Sequence, residues 1–269
     1  MVDPSQPRME PAMLANQRHA YIMKYLNENG AARVVDLVSE LGVSDMTIRR
    51  DLDLLARDGV LLKVHGGATI AHDSSALEPA FLVKSGLSKS AKDAIGSYAA
   101  SLVYPGASVA LNGGSTTHAV ANYLVSIPNI TVVTNSLKVA EKFWSVKDST
   151  HTLILVGGMR TPTEALVGPV ALESIRGLHV DVMFMGVHGM SDTAGFTSPN
   201  LQEAETNRAF MRSASEVVAV ADSSKWGQVA LAKFATLNQA HKIITDSELT
   251  QEASEAVAQN RVALVKVAI

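Results

Sequence analysis

The chain has 269 residues, no cysteine and a formal net charge of −3 at pH 7. Without thiols it has neither a disulfide framework nor a thiolate metal or nucleophile site, and 23 Lys and Arg against 26 Asp and Glu leave no globally basic surface for polyanions. No apolar run reaches the roughly 18 residues of a membrane span, and the first fifteen residues, rich in Pro and Met, lack a signal peptide's apolar core. The expectation is a cytoplasmic protein of two domains, one small and one large, behind a disordered leader at 1–15.

The first periodic segment, roughly Gln17 to Asn29, carries Tyr21, Ile22, Tyr25 and Leu26 on one side and ends at Asn29-Gly30. In the next, Val34, Leu37, Val38 and Leu41 fall at i, i+3, i+4 and i+7, an apolar stripe on a 3.6-residue period. Gly42 stops that helix. Ser44 is placed to N-cap a third helix, in which Ile48, Leu52, Leu55 and Ala56 face inward and Thr47, Arg49, Arg50 and Asp53 face outward near the start. A recognition helix presents that end to DNA bases: arginine grips guanine O6 and N7, and threonine bonds a base or touches the thymine methyl.

After Arg57-Asp58-Gly59, the segment Val60 to Ile70 alternates and turns on Gly66-Gly67, which predicts a hairpin wing. Lys63 would then lie near the phosphates. His65 would either join it there or bond its neighbours in the turn. Residues 16–71 hold seven Lys or Arg and seven Asp or Glu, so DNA binding must rest on local placement of Ser44, Thr47, Arg49, Arg50, Lys63 and His65. The competing reading makes Arg49, Asp53 and Arg57 a solvated i, i+4 ladder; it suits Arg57 best.

From Ala71 to Ser90, Asp, Ser, Pro and Gly replace periodic apolar residues, and 72–90 reads as a linker between a domain at 16–71 and another at 91–269. The latter alternates short β-branched runs with helical stretches, an α/β pattern with a largely parallel sheet. The predicted strands are Ser108–Leu111, Ile130–Thr134, Thr152–Val156, Val182–Val187, Val217–Ala221, Lys242–Thr245 and Ala263–Val267. Their Val, Ile and Leu content fits burial on both faces, and ligands in such sheets bind beyond the carboxyl ends of the strands.

Unusual residues collect at those ends. Asn112-Gly113-Gly114-Ser115-Thr116-Thr117 leads into a helix over His118 to Val125, and glycines, hydroxyls and a helix start make a phosphate cradle. An ordinary capped strand-to-helix turn has the same look. It is neither a dinucleotide-binding turn nor a Walker loop. Thr134-Asn135-Ser136, Gly157-Gly158, Gly186-Val187-His188-Gly189 and Asp222-Ser223-Ser224-Lys225 follow on later strands, so five ends would converge on one crevice. There Lys225 would neutralise a phosphate, unless it is merely solvated. Of Glu203 and Glu205 on the following helical segment, Glu205 is the better candidate for sugar hydroxyls, although helix-start carboxylates commonly serve the dipole. His118 and His188 line the pocket or sit satisfied in the core. No second His or Asp stands at ligand spacing to either, and neither metal nor cofactor is expected.

The stretch Val43-Ser44-Asp45-Met46-Thr47-Ile48-Arg49-Arg50-Asp51-Leu52, followed by His65-Gly66-Gly67-Ala68, resembles the DNA-binding signature of the DeoR family of bacterial sugar-catabolism regulators. The resemblance continues through T-N-S, Val156 to Arg160, the G-x-x-G of 186–189 and D-S-S-K, and covers nearly all of 16–250. The cradle departs from it, with Asn112-Gly113-Gly114-Ser115 where many members show D-x-G-T. The resemblance implies a winged helix-turn-helix joined to an effector domain similar to sugar-phosphate isomerases, sensing a phosphorylated sugar or polyol and binding double-stranded operator DNA as a homodimer or homotetramer.

The rival reading is an isomerase-like enzyme with an appended DNA-binding domain. The acidic motif, lysine and glutamate of ribose-5-phosphate isomerases would fall near His188-Gly189, at Ser198-Pro199-Asn200 and near Asn207, where this chain has neither the carboxylate base nor the lysine. Proton abstraction beside a carbonyl needs a positioned base. A regulator without turnover is therefore expected; an architectural DNA binder would have no use for the cradle.

Overall fold

A computed structural model describes residues 14–57, 61–70, 81–147 and 149–269. The chain divides into two compact units, Met1–Asp73 and Ser74–Ile269. The expected leader falls outside the described residues except for Leu14 and Ala15, as does the linker stretch 71–80. Beyond residue 80 the expected linker is helical, with α4 and the start of α5 occupying 81–90. Among the described residues no helix is long and apolar enough to cross a membrane.

The first unit runs α1 (Ala15–Asn29), β1 (Ala31–Arg33), α2 (Val34–Leu41), α3 (Asp45–Arg57), β2 (Leu61–Val64) and β3 (Gly67–Ile70). Ile22, Leu26, Leu37, Ile48, Leu52, Leu55 and Leu61 are each at most 1% exposed, and full burial of such a side chain stabilises by about 1.5–3 kcal/mol. Gly42 closes α2 in the left-handed conformation at φ 62°. Asp51, also buried, accepts bonds from Arg18 Nε at 2.7 Å and Nη2 at 3.2 Å and lies 3.0 Å from His19 Nε2, so α3 is clamped to α1. β1, too short to show a pattern in sequence, pairs with β3 in the order β1-β3-β2. The wing turns on His65-Gly66, one residue earlier than expected. Gly67 lies in β3, where a Cβ would come 2.2 Å from the Ala32 carbonyl oxygen.

The second unit opens with α4 (Phe81–Gly86) and α5 (Lys89–Ala100), then continues β4 (Ser108–Leu111), α6 (Ser115–Leu124), β5 (Thr131–Thr134), α7 (Leu137–Trp144), β6 (Thr152–Leu155), β7 (Met159–Arg160), β8 (Leu166–Val167), α8 (Pro169–Ile175) and β9 (Val180–Gly186). It ends with β10 (Gly189–Ser191), β11 (Gly195–Ser198), α9 (Leu201–Ser213), β12 (Ala214–Val220), β13 (Ala232–Ala235), β14 (Lys242–Asp246), α10 (Gln251–Gln259) and β15 (Ala263–Val267). The seven predicted strands form one parallel sheet, ordered β15-β14-β12-β9-β4-β5-β6. Two elements escaped the sequence: the β7–β8 hairpin and an antiparallel sheet β10-β11-β13.

Alternate strand residues feed two cores. Val109, Leu111, Val182 and Phe184 pack with α5, α6 and α7; Ala110, Met183, Met185 and Ala219 pack with α8, α9 and α10. Burial on both faces is what near-continuous apolar strands require. The strand order reverses between β4 and β9, so the crevice of a doubly wound sheet lies at their carboxyl ends.

Candidate functional site

On the first unit, Ser44 Oγ accepts the Thr47 N–H at 3.2 Å and lies 2.8 Å from the Thr47 hydroxyl, so one serine caps α3 and orients the threonine. Arg50 is exposed and has no hydrogen bond or ion pair among the described residues. Both arginines of the competing i, i+4 ladder, Arg49 and Arg57, act on the Asp53 charge, but the hydrogen bonds run elsewhere. Arg49 Nε turns back to Asp45 at 2.6 Å, and Asp53 reaches across to the wing, where Lys63 Nζ donates to it at 2.6 Å. That bond, chiefly, holds the Asp53 carboxyl below its usual range. His65 is exposed in the turn, and its side chain makes no hydrogen bond among the described residues. Met46, 75% exposed on the first turn of α3, was not singled out in sequence; a protruding apolar group there matches a thymine methyl.

On the second unit a crevice opens at the β4–β9 reversal. Asn112 builds it. Its Nδ2 donates to Gly186 O at 2.9 Å and to Asn207 Oδ1 at 2.9 Å, and its Oδ1 accepts the Gly186 N–H at 2.8 Å. Gly113 passes so close to Ala165 that a Cβ would meet that residue's Cβ at 2.5 Å. The Thr117 hydroxyl lies 2.8 Å from Asn112 O and 3.0 Å from Gly114 O, closing the turn from within. Gly114, Ser115 and Thr116 remain facing the cavity, at the end of α6 where backbone N–H groups have no helical partner and the dipole is positive.

Three lysines meet these groups. Lys225 lines the cavity, and its ammonium has no hydrogen-bond partner among the described residues; burial lowers its pKa, with Asp222 opposing and Lys84 adding. Lys84 lines the same wall. Lys92, 5% exposed, donates to Leu87 O at 2.8 Å and to Lys84 O, gripping the end of α4. Burial brings its pKa down to about 8, against Asp222 and with Lys225 and Lys84. His188 stands beside them, lowered to about 3 by burial and then by Lys84 and Lys225, so it is neutral. Its Nδ1 is buried without a partner among the described residues.

Of the expected ligand residues, Asn112, Gly113, Gly114, Ser115, Thr116, Gly186, His188 and Lys225 come together around the cavity. Thr117, Thr134, Asn135, Ser136, Gly158 and Glu205 are not in its lining. The Thr134 hydroxyl donates to Leu111 O at 2.7 Å, Asn135 Nδ2 to Leu166 O at 3.0 Å, and Ser136 Oγ caps α7 by accepting the Val139 N–H at 3.3 Å. All three are engaged in the β5 turn, although Asn135 Oδ1 is buried without a partner among the described residues. At Gly158, with φ 133°, a Cβ would fall 2.4 Å from Val167 O, so the glycine serves the β7–β8 hairpin. Glu205 is exposed and paired with Arg208 at 3.3 Å. It is Glu203, not the preferred Glu205, that is buried and lines the cavity, where it accepts the Thr161 hydroxyl at 2.6 Å and that of Thr163. Lys84, Lys92, Glu203, Asn207 and Asp222 are among the lining residues not selected from the sequence.

A capped helix and wing on one unit, and a cationic crevice at a sheet reversal on the other, define a DNA-binding regulator with a sensor domain. Residues 18–74 match the DeoR-like helix-turn-helix domain and 88–247 the DeoR C terminal sensor domain; the chain belongs to the DeoR family. It is similar to the uncharacterized HTH-type transcriptional regulator YgbI of Escherichia coli strain K12, with 33% identity over 94% of this chain and 98% of that protein. It is also similar to the glycerol-3-phosphate regulon repressor of the same organism, 28% identical over 87% of this chain and 92% of that one. Among solved structures, ribose 5-phosphate isomerase A of Methanocaldococcus jannaschii aligns at TM-score 0.38 and 16% identity, covering 51% of this chain and 54% of the other.

Proposed function

We propose that this regulator is a cytoplasmic repressor of a sugar or polyol catabolic operon, with the cavity of its sensor domain holding a phosphorylated sugar or polyol. The reading rests on one observation above all: Lys84, Lys92, Lys225 and the first turn of α6 converge on one cavity that also holds hydrogen-bonding side chains. A phosphate wants charge and N–H donors; a polyol wants hydroxyl, amide and carboxylate partners. The names of the relatives, which include a glycerol-3-phosphate regulon repressor and a lactose phosphotransferase system repressor of Streptococcus mutans, agree with that chemistry. Thr47, Arg50 and Lys63 are assigned to the operator, with Ser44 and Arg49 holding the helix start and His65 on the wing. The working form is a homodimer or homotetramer that sets two reading heads on repeated or inverted half-sites.

Ligand acts on DNA binding only through its difference in affinity between the DNA-competent and incompetent states. A thermal-shift screen against phosphorylated sugars and their unphosphorylated parents tests the reading, since a specific ligand raises the melting temperature by mass action. Lys225→Ala and Thr116→Val should each weaken the phosphorylated ligand by about ten- to a hundredfold, the worth of a charge-assisted hydrogen bond. Both should leave ligand-free DNA binding near its parent value. Equal shifts from a sugar phosphate and its parent sugar reject the phosphate site, and accumulation of an isomer in the same samples rejects a regulator without turnover.

A further inference from the structure

Building on the reading of the cavity as a phosphate site, we propose that Glu203 is its specificity-determining residue. It accepts the hydroxyls of an uncharged tail and turns away compounds with a second anionic group, such as sugar-acid phosphates and bisphosphates. The cavity is polarised. The carboxylate that acts on Lys92 and Lys225 is Asp222, whereas Glu203 faces the 161–165 segment, where both threonine hydroxyls meet its Oε1. Its Oε2 has no hydrogen bond among the described residues, and the side chain lines the cavity. The backbone holds it there. Asn200 caps α9, accepting the Gln202 and Glu203 N–H groups at 2.9 and 3.2 Å, which fixes Glu203 in the first turn.

Its neighbour Asn207 completes the recognition. Asn207 lines the cavity, its Oδ1 is taken by Asn112, and its amide nitrogen donates to no partner among the described residues. A hydroxyl can donate to Glu203 and accept from Asn207. A carboxylate or second phosphate can only accept, so it leaves Glu203 unsatisfied and sets like charges together away from bulk water, a penalty on the order of a hundredfold.

The full chain and its Glu203→Gln, Glu203→Asp and Lys225→Ala variants should be titrated by calorimetry with inorganic phosphate and two matched pairs. These are glycerol 3-phosphate against 3-phosphoglycerate, and glucose 6-phosphate against 6-phosphogluconate. The parent chain should bind inorganic phosphate, bind at least one alcohol-tailed ester more tightly than phosphate, and bind the acid-tailed partner more weakly than phosphate. Glu203→Gln should close the gap within that pair by tenfold or more. Glu203→Asp keeps the charge but withdraws it, so it should lose alcohol-tail affinity while still rejecting the acid, and it decides the matter should the glutamine variant not fold. A purely structural glutamate would lower both members of a pair together, and that result overturns the assignment. So does a parent chain that binds both members alike, or binds no ester more tightly than phosphate itself. If phosphate fails to bind, or binds Lys225→Ala equally well, the underlying phosphate reading falls instead.

Discussion

At the scale of single residues, the DNA-reading surface is a matter of how cations are held. Arg50 is unengaged among the described residues, while Lys63 is engaged by Asp53 and Arg49 by Asp45. Exposed ion pairs of this kind are worth little to stability, but each withholds a positive charge from phosphate. Arg50→Ala should therefore cost about 1–3 kcal/mol at the operator with folding intact. Asp53→Asn should act in the opposite sense, tightening binding to unrelated DNA and steepening the salt dependence by about one counterion as Lys63 is released. Gel-shift titrations of an operator fragment and a scrambled duplex at several salt concentrations measure both. A salt slope in Asp53→Asn equal to that of the parent chain would show that the Asp53 pair does not withhold Lys63 from DNA.

At the scale of elements, the recurring motif is a close backbone approach secured by a missing side chain. Gly67 lets β3 lie against β1, and Gly67→Ala would force a methyl to within 2.2 Å of Ala32 O. Overpacking of this kind costs about 1–3 kcal/mol. In calorimetry the DNA-binding unit of Gly67→Ala should melt earlier while the sensor transition stays in place; a shift of both together would contradict the division into two units. The seven parallel strands were legible because burial on both faces writes itself as unbroken Val, Ile and Leu. β1, at three residues, and the β7–β8 hairpin, at two a strand, are too short to carry a period. The turn at 112–117 was legible because its glycines and hydroxyls follow a strand end and open a helix, and its first five residues line the cavity. Lys84 was not, because it lies in a stretch whose composition reads as linker. Lys92 was hidden in the interior of a helix, and Glu203 was passed over for Glu205 because the burial of α9's two faces depends on what packs against them.

At the scale of the whole molecule, the buried cation on α5 ties ligand binding to pH. Lys92 has a folded-state pKa of about 8 against an ordinary 10.5. Between those values the folded chain holds fewer protons than the unfolded one, so this group's contribution to stability rises with pH across that window, and at neutral pH its charge is a cost. A bound anion offsets that cost only while Lys92 is protonated. Phosphate-induced stabilisation should therefore weaken as pH rises past about 8, and binding at pH 8 should take up protons, which calorimetry in buffers of different ionisation enthalpy reads directly. Lys92→Met should reduce both effects, leaving the part due to Lys225, whose pKa burial also lowers; a pH dependence unchanged in that variant would assign it elsewhere. The Asn112 amide has a further consequence at this scale. Its two amide hydrogens and its oxygen join the turn after β4 to the end of β9 and to Asn207 of α9, so these elements are held to one another through one side chain. The crevice thus has the character of a gauge, its span set by one amide and not by whatever molecule enters it.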